Sequence, residues 1–84
     1  IIVGEFGWNH TDGDVDEEYI LEYCNENSIG WLAWSWKGNG GGVEYLDLAN
    51  EWDGSVLSDW GETVVNSDLG LKKTSVKCSV FTAD

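Results

Sequence analysis

The hydrophobic positions of the chain fall into three kinds of pattern. Ile1-Ile2-Val3 is an unbroken apolar run that stops at Gly4-Glu5. A short run of this kind predicts a strand buried on both faces, as in a parallel sheet. Val15, Tyr19, Ile20, Tyr23 and Cys24 then recur on one face of a helix predicted over residues 14–26. Asp14 is its expected cap, with Glu17 at the third helical position, and the acids Asp16, Glu17 and Glu18 favour the first turn. Residues 31–36, Trp-Leu-Ala-Trp-Ser-Trp, form a second dense apolar run and a second predicted strand. Gly38 to Gly42 read as a flexible loop, residues 43–48 as a short extended piece, and residues 58–66 as a brief helix weakened by Gly61. The tail alternates from Ser75 to Phe81, as an exposed strand would. Strand, helix, strand, helix is the order of an α/β fold with a parallel sheet.

Two strands do not complete such a sheet, because each parallel strand expects neighbours. Composition sharpens this: the chain has 84 residues, 6 Trp and 11 Gly, and neither Pro nor Met. A piece of a longer domain is the expected reading, with residues 1–84 as one partial unit. Sixteen acids against four bases give a net charge of −12, which disfavours nucleic acid and anionic membranes as partners. The apolar runs fall far short of the roughly 20 residues that span a bilayer. Cys24 and Cys78 leave two readings open, one bridge in an oxidising compartment or two separate thiols.

Candidate chemistry concentrates at the strand ends. Glu5 closes the first strand at its carboxyl end, where α/β folds gather ligands and catalytic groups. Strict alternation places it on the side of Val3 and Ile1, which would be the interior of a barrel. Trp34 occupies the corresponding end of the second strand and shares parity with Leu32 and Trp36. An indole face stacks well on the C–H face of a pyranose. Trp31, Trp52 and Trp60 read as packing, and Trp36 stands where strand becomes loop. The one histidine, His10, lies five residues past Glu5, and two readings stay open for it, lining a cleft or hydrogen-bonding its own loop. Asp12-x-Asp14-x-Asp16 starts like a calcium loop but lacks its Gly and its closing Glu, so no metal is expected. The glycine loop lacks the Lys-Ser/Thr ending of a phosphate loop, and no cofactor is expected. Asn9-His10-Thr11 matches a glycosylation sequon.

Ile2-Val3-Gly4-Glu5-Phe6-Gly7, followed by residues 9–17, resembles the seventh strand and loop of a glycoside hydrolase family 5 catalytic domain. Gly30-Trp31-Leu32-Ala33-Trp34-Ser35-Trp36-Lys37-Gly38-Asn39 is similar to the eighth strand of the bacterial endo-β-1,4-mannanases of that family, and Tyr45-Leu46-Asp47-Leu48 and Asp59-Trp60-Gly61 extend the likeness. The resemblance implies the last two strand–helix units of a (β/α)8 barrel. It also implies a retaining mechanism, with Glu5 as nucleophile, Trp34 as the floor of the subsite for the attacked sugar, and Trp36 and His10 as further substrate contacts. The implied enzyme is secreted, monomeric at full length, and acts on mannan, glucomannan or galactomannan. The family's acid/base Glu belongs to an Asn-Glu pair on an earlier strand. Asn25-Glu26 and Asn50-Glu51 do not fit that position, so the chain by itself is expected to be inactive. A family 5 cellulase or other β-glycanase is the alternative within the class. A small non-catalytic carbohydrate-binding module is the alternative outside it, and the predicted helix opposes that reading.

Overall fold

A computed structural model describes residues 1–10 and 13–81, without the side chains of His10 and Phe81. Strand β1 (Ile2–Phe6) is followed by a two-residue hairpin pair, β2 (Asn9–His10) and β3 (Gly13–Asp14). Helix α1 (Glu17–Glu26), strand β4 (Gly30–Ala33), helix α2 (Asp59–Asn66) and the single-turn helix α3 (Leu71–Thr74) complete the regular elements, with 3₁₀ turns at Glu44–Leu46 and Ser79–Phe81. β1 and β4 pair in parallel, with α1 as the crossover between them. This is the strand–helix–strand order that the sequence predicts. It excludes the antiparallel sandwich expected of a binding module.

Several boundaries differ from the sequence expectation, each for a local reason. Asp14 pairs with Asn9 in the β2–β3 hairpin, so the cap of α1 moves to Asp16, whose carboxylate accepts from the Tyr19 N–H at 3.2 Å. The face that α1 buries is Leu21 and Cys24. Tyr19 and Tyr23, expected on the core side, are exposed and stack on each other at 6.0 Å, one helical turn apart. The helix stops where the Ile29 N–H returns to the Cys24 carbonyl at 2.9 Å, with Ser28 in the left-handed region at φ 55°. Residues 44–46 wind into a 3₁₀ turn instead of an extended piece, and residues 75–78 pair with no strand. Cys24 is buried, Cys78 is exposed, and both are free thiols.

The second predicted helix forms almost as read. Ser58 caps α2, its hydroxyl accepting from the Gly61 N–H at 3.0 Å and donating to the Asp47 carbonyl at 2.6 Å. Gly61 has a positive reason to be there: a Cβ at this position would sit 1.9 Å from the Leu48 carbonyl oxygen. The helix lies so close to that backbone that only glycine fits.

Phe6, Leu21, Leu48, Trp60 and Val64 form the core between the strand pair and the helices, with Val3, Trp31 and Ala33 packed against it. Trp60 is fully buried and central. Its ring meets Phe6 edge-on at 5.8 Å and stacks on Trp8 at 6.2 Å, while Trp31 meets Phe6 edge-on at 6.0 Å. These contacts bury large aromatic area at favourable edge and offset geometries. Trp52, read from sequence as packing, is instead 66% exposed.

Candidate active site

The parallel pair carries one irregularity, and it decides where Glu5 points. Val3 pairs with Trp31 and Phe6 with Ala33, so three steps on β1 match two on β4. One extra residue in β1 resets the alternation. Val3 and Phe6 therefore both pack toward the helices. Strict alternation, which grouped Glu5 with Val3, is corrected here. Glu5 is exposed, on the side away from the core. Beyond β4 the ladder continues, the Trp34 N–H donating to the Phe6 carbonyl at 2.8 Å.

Glu5 and Trp34 thus emerge side by side from the carboxyl ends of adjacent parallel strands and line one cavity of about 630 Å³. Asn9 and Asp14 of the hairpin, and Val43 and Leu46 of the loop after β4, are among the other residues of its wall. Trp34 is 47% exposed. Trp36 is absent from this lining. Its indole N–H donates to the Trp52 carbonyl at 2.9 Å, and the ring packs closely on Gly54. His10 contributes its backbone to the hairpin that borders the cavity, opposite Gly13, while its side chain lies outside the described residues. Asp12 and Thr11 also lie outside them, so the acidic run and the sequon are described only in part. Asp16 of that run is occupied as the α1 cap.

The first 40 residues match the family model "Cellulase (glycosyl hydrolase family 5)". The whole chain is 54% identical, over 84 residues, to a mannan endo-1,4-beta-mannosidase from Salipaludibacillus agaradhaerens, of whose length it covers 27%. The likeness to glycosyl hydrolase family 5 thus covers the first strand–helix–strand unit, and the likeness to mannan endo-1,4-beta-mannosidases runs the length of the chain. Among solved structures, the β-mannanase from Thermomonospora fusca superposes with a TM-score of 0.85 at 44% identity, over 95% of this chain and 26% of that one. The mannohexaose complex of the Thermomonospora fusca enzyme gives a TM-score of 0.79 at 40% identity, over 95% of this chain and 25% of that one. The fold is accordingly about a quarter of a (β/α)8 barrel.

A polar network with no local signal in the sequence sits directly behind Trp34. Its indole N–H donates to Asn39 Oδ1 at 2.8 Å. Asn39 Nδ2 donates to Asp47 Oδ1 at 2.7 Å and to Ser35 Oγ at 3.0 Å, and the Asn39 backbone N–H reaches the same Asp47 oxygen at 3.0 Å. Lys37 Nζ lies 3.8 Å from Asp47 Oδ2. The glycine-rich loop makes this geometry: Gly38, at φ 100°, turns the chain back so that Asn39 faces Asp47. A loop read as flexible is therefore anchored at its start.

Asp47 is only 9% exposed. Burial pushes its carboxyl up. The Asn39 backbone and side-chain N–H groups, the Lys37 charge and the Gly38 N–H outweigh that and hold it below the ordinary 3.8. A folded value below the unfolded one means that the ionised carboxylate stabilises fully above about 3.8, and that this contribution is lost as pH falls through the lower, folded value. Asp47→Asn should therefore lower Tm at neutral pH, and its deficit against the parent should shrink as the pH drops below 4. A deficit that stays constant across pH 2–7 would contradict this.

Proposed function

We propose that the full-length protein is a secreted, monomeric endo-β-1,4-mannanase acting with retention of configuration, and that residues 1–84 are its seventh and eighth strand–helix units. The observation that carries the reading is the shared cavity of Glu5 and Trp34, at the carboxyl ends of neighbouring parallel strands. Mannan and its glucose- or galactose-bearing relatives are the proposed substrates. The likeness to proteins named as mannanases supports this choice.

In this reading Trp34 is the platform for the attacked sugar. Its flat apolar face meets the C–H face of the ring, a contact that needs little ordering of the protein. A Glu5 oxygen attacks the anomeric carbon while the bond to the leaving oxygen breaks. A carboxylic acid from the part of the barrel outside this chain, about 5–5.5 Å from Glu5, gives that oxygen its proton. The same group, now a carboxylate, takes a proton from the water that hydrolyses the glycosyl ester, which frees Glu5. Neither Asn-Glu pair of this chain offers that acid. Asn25 is held in α1, its amide donating to the Leu69 carbonyl at 3.0 Å, and Asn50 and Glu51 are exposed beyond the loop. Trp36, away from the cavity, fits a more distant sugar contact, and His10 a contact from the hairpin side.

The exposed apolar face of the strand pair, with Ile2 and Leu32, is the face that closure of the barrel would cover. The test is hydrolysis by the full-length protein of β-mannan against a soluble cellulose, with the anomer of the first product read by NMR. Release of β-anomeric manno-oligosaccharides is expected. Preference for the cellulose would favour the β-glycanase reading, and initial α-product would overturn retention. Trp34→Ala should raise the Kd for mannohexaose by about tenfold or more, the scale of one lost aromatic contact of 1–3 kcal/mol. An unchanged Kd by calorimetry would remove Trp34 from the site.

A further inference from the structure

We propose that Asn39, clamped by the buried carboxylate of Asp47, is a positioning residue that sets the tilt of the Trp34 indole and thereby the alignment of the sugar beneath the attacking Glu5. This inference rests on the reading of Trp34 as a sugar platform.

Trp34 is half exposed at a strand end, and the indole has one polar atom, a donor. That N–H lies in the plane of the ring. A partner held at 2.8 Å along it fixes the rotation of the ring edge and leaves the π faces uncovered. The partner is itself fixed. An asparagine amide can be turned over in a symmetric setting, but here chemistry permits one orientation. The amide oxygen must meet the indole donor, and the NH₂ must meet the Asp47 carboxylate and the Ser35 hydroxyl. Asp47 accepts from both the side chain and the backbone of Asn39, so the loop cannot shift without losing two bonds to a charged acceptor. Lys37 closes the series on the far oxygen of Asp47. The carboxylate thus acts on the platform through Asn39, without facing the cavity that Glu5 and Trp34 line.

A purely structural bond would affect stability alone. A positioning bond should affect catalysis only while the indole N–H exists to donate it. The experiment is a double-mutant cycle in the full-length enzyme with Asn39→Ala and Trp34→Phe, Phe keeping an aromatic face without the donor. We expect Asn39→Ala to lower kcat/KM on mannohexaose by about tenfold in the parent, the scale of one hydrogen bond. In the Trp34→Phe background the same change should cost less than about twofold. Equal losses in both backgrounds, or none in either, would overturn the proposal while leaving the platform reading intact. A normal kcat/KM in Trp34→Ala would instead remove the platform, and this inference with it. If Asn39→Ala does not fold, Asp47→Asn, which keeps the volume and frees the Asn39 amide to turn over, is read in the same two backgrounds against the same criteria.

Discussion

Glu5→Gln in the full-length protein is expected to lose turnover on mannan by a factor on the order of 10⁴ or more, the scale on which removal of a covalent nucleophile acts. Binding of mannohexaose should change by no more than a few fold. The amide is nearly isosteric with the carboxylate, so the cavity keeps its shape, and the Trp34 face remains available. What disappears is the negative oxygen able to form the glycosyl ester. A second variant separates nucleophile from general base. Glu5→Gly opens room beside the anomeric carbon, and azide added with an activated aryl β-mannoside should restore turnover. The product would be a glycosyl azide of α configuration, because the anion attacks from the face that Glu5 vacated while the aryloxide leaves from the other. Near-normal kcat in Glu5→Gln would refute the assignment. A β-configured azide would require the attack to come from another side.

The two residues on which that experiment turns were legible because their signal is positional. An acid that closes an apolar strand, and an indole that closes the next, are visible without knowing the contacts around them. The bulge in β1 was not legible. Gly4 is its one sequence marker, a residue common at bulges without being specific to them, and the reset of alternation shows only against the register of β4. The same limit hid Asn39 and Asp47. Each is unremarkable locally, Asn39 among glycines and Asp47 between leucines, and their pairing depends on a loop that returns across eight residues. Tyr19 and Tyr23 were misplaced for a different reason: a helical face drawn from apolar spacing cannot tell a core stripe from a pair of rings that stack on each other in solvent. Trp52 lies in a segment that reads as packing, whereas its ring lies over the loop surface beneath Lys37, whose ammonium is 5.7 Å from the ring centroid. The second helix, read over residues 58–66, starts within one residue of that expectation because its cap at Ser58 is local, one hydroxyl and an N–H three residues away.

Trp60→Ala is expected to be the most damaging change to stability, about 3–5 kcal/mol, the range for truncating a fully buried large aromatic. Three separate contacts converge on this ring. It packs edge-on against Phe6, which follows Glu5 in the chain, and it stacks on Trp8. Its indole N–H donates to the Trp34 carbonyl at 2.8 Å. The core residue therefore holds the backbone of the proposed platform directly and that of the proposed nucleophile through one neighbour. Denaturant unfolding of the full-length protein should show a lower midpoint for Trp60→Ala. Trp60→Phe divides the effect: it keeps ring area and loses the donor, leaving the Trp34 carbonyl to find a water. It should cost less stability than alanine while still lowering kcat/KM on mannohexaose. If Trp60→Phe weakened the fold but left kcat/KM untouched, the hydrogen bond to Trp34 would be a stability contact alone. The link from core to site would then run through Phe6, and Phe6→Leu, which removes the edge-on ring contacts while keeping a large apolar side chain, should carry the catalytic loss instead.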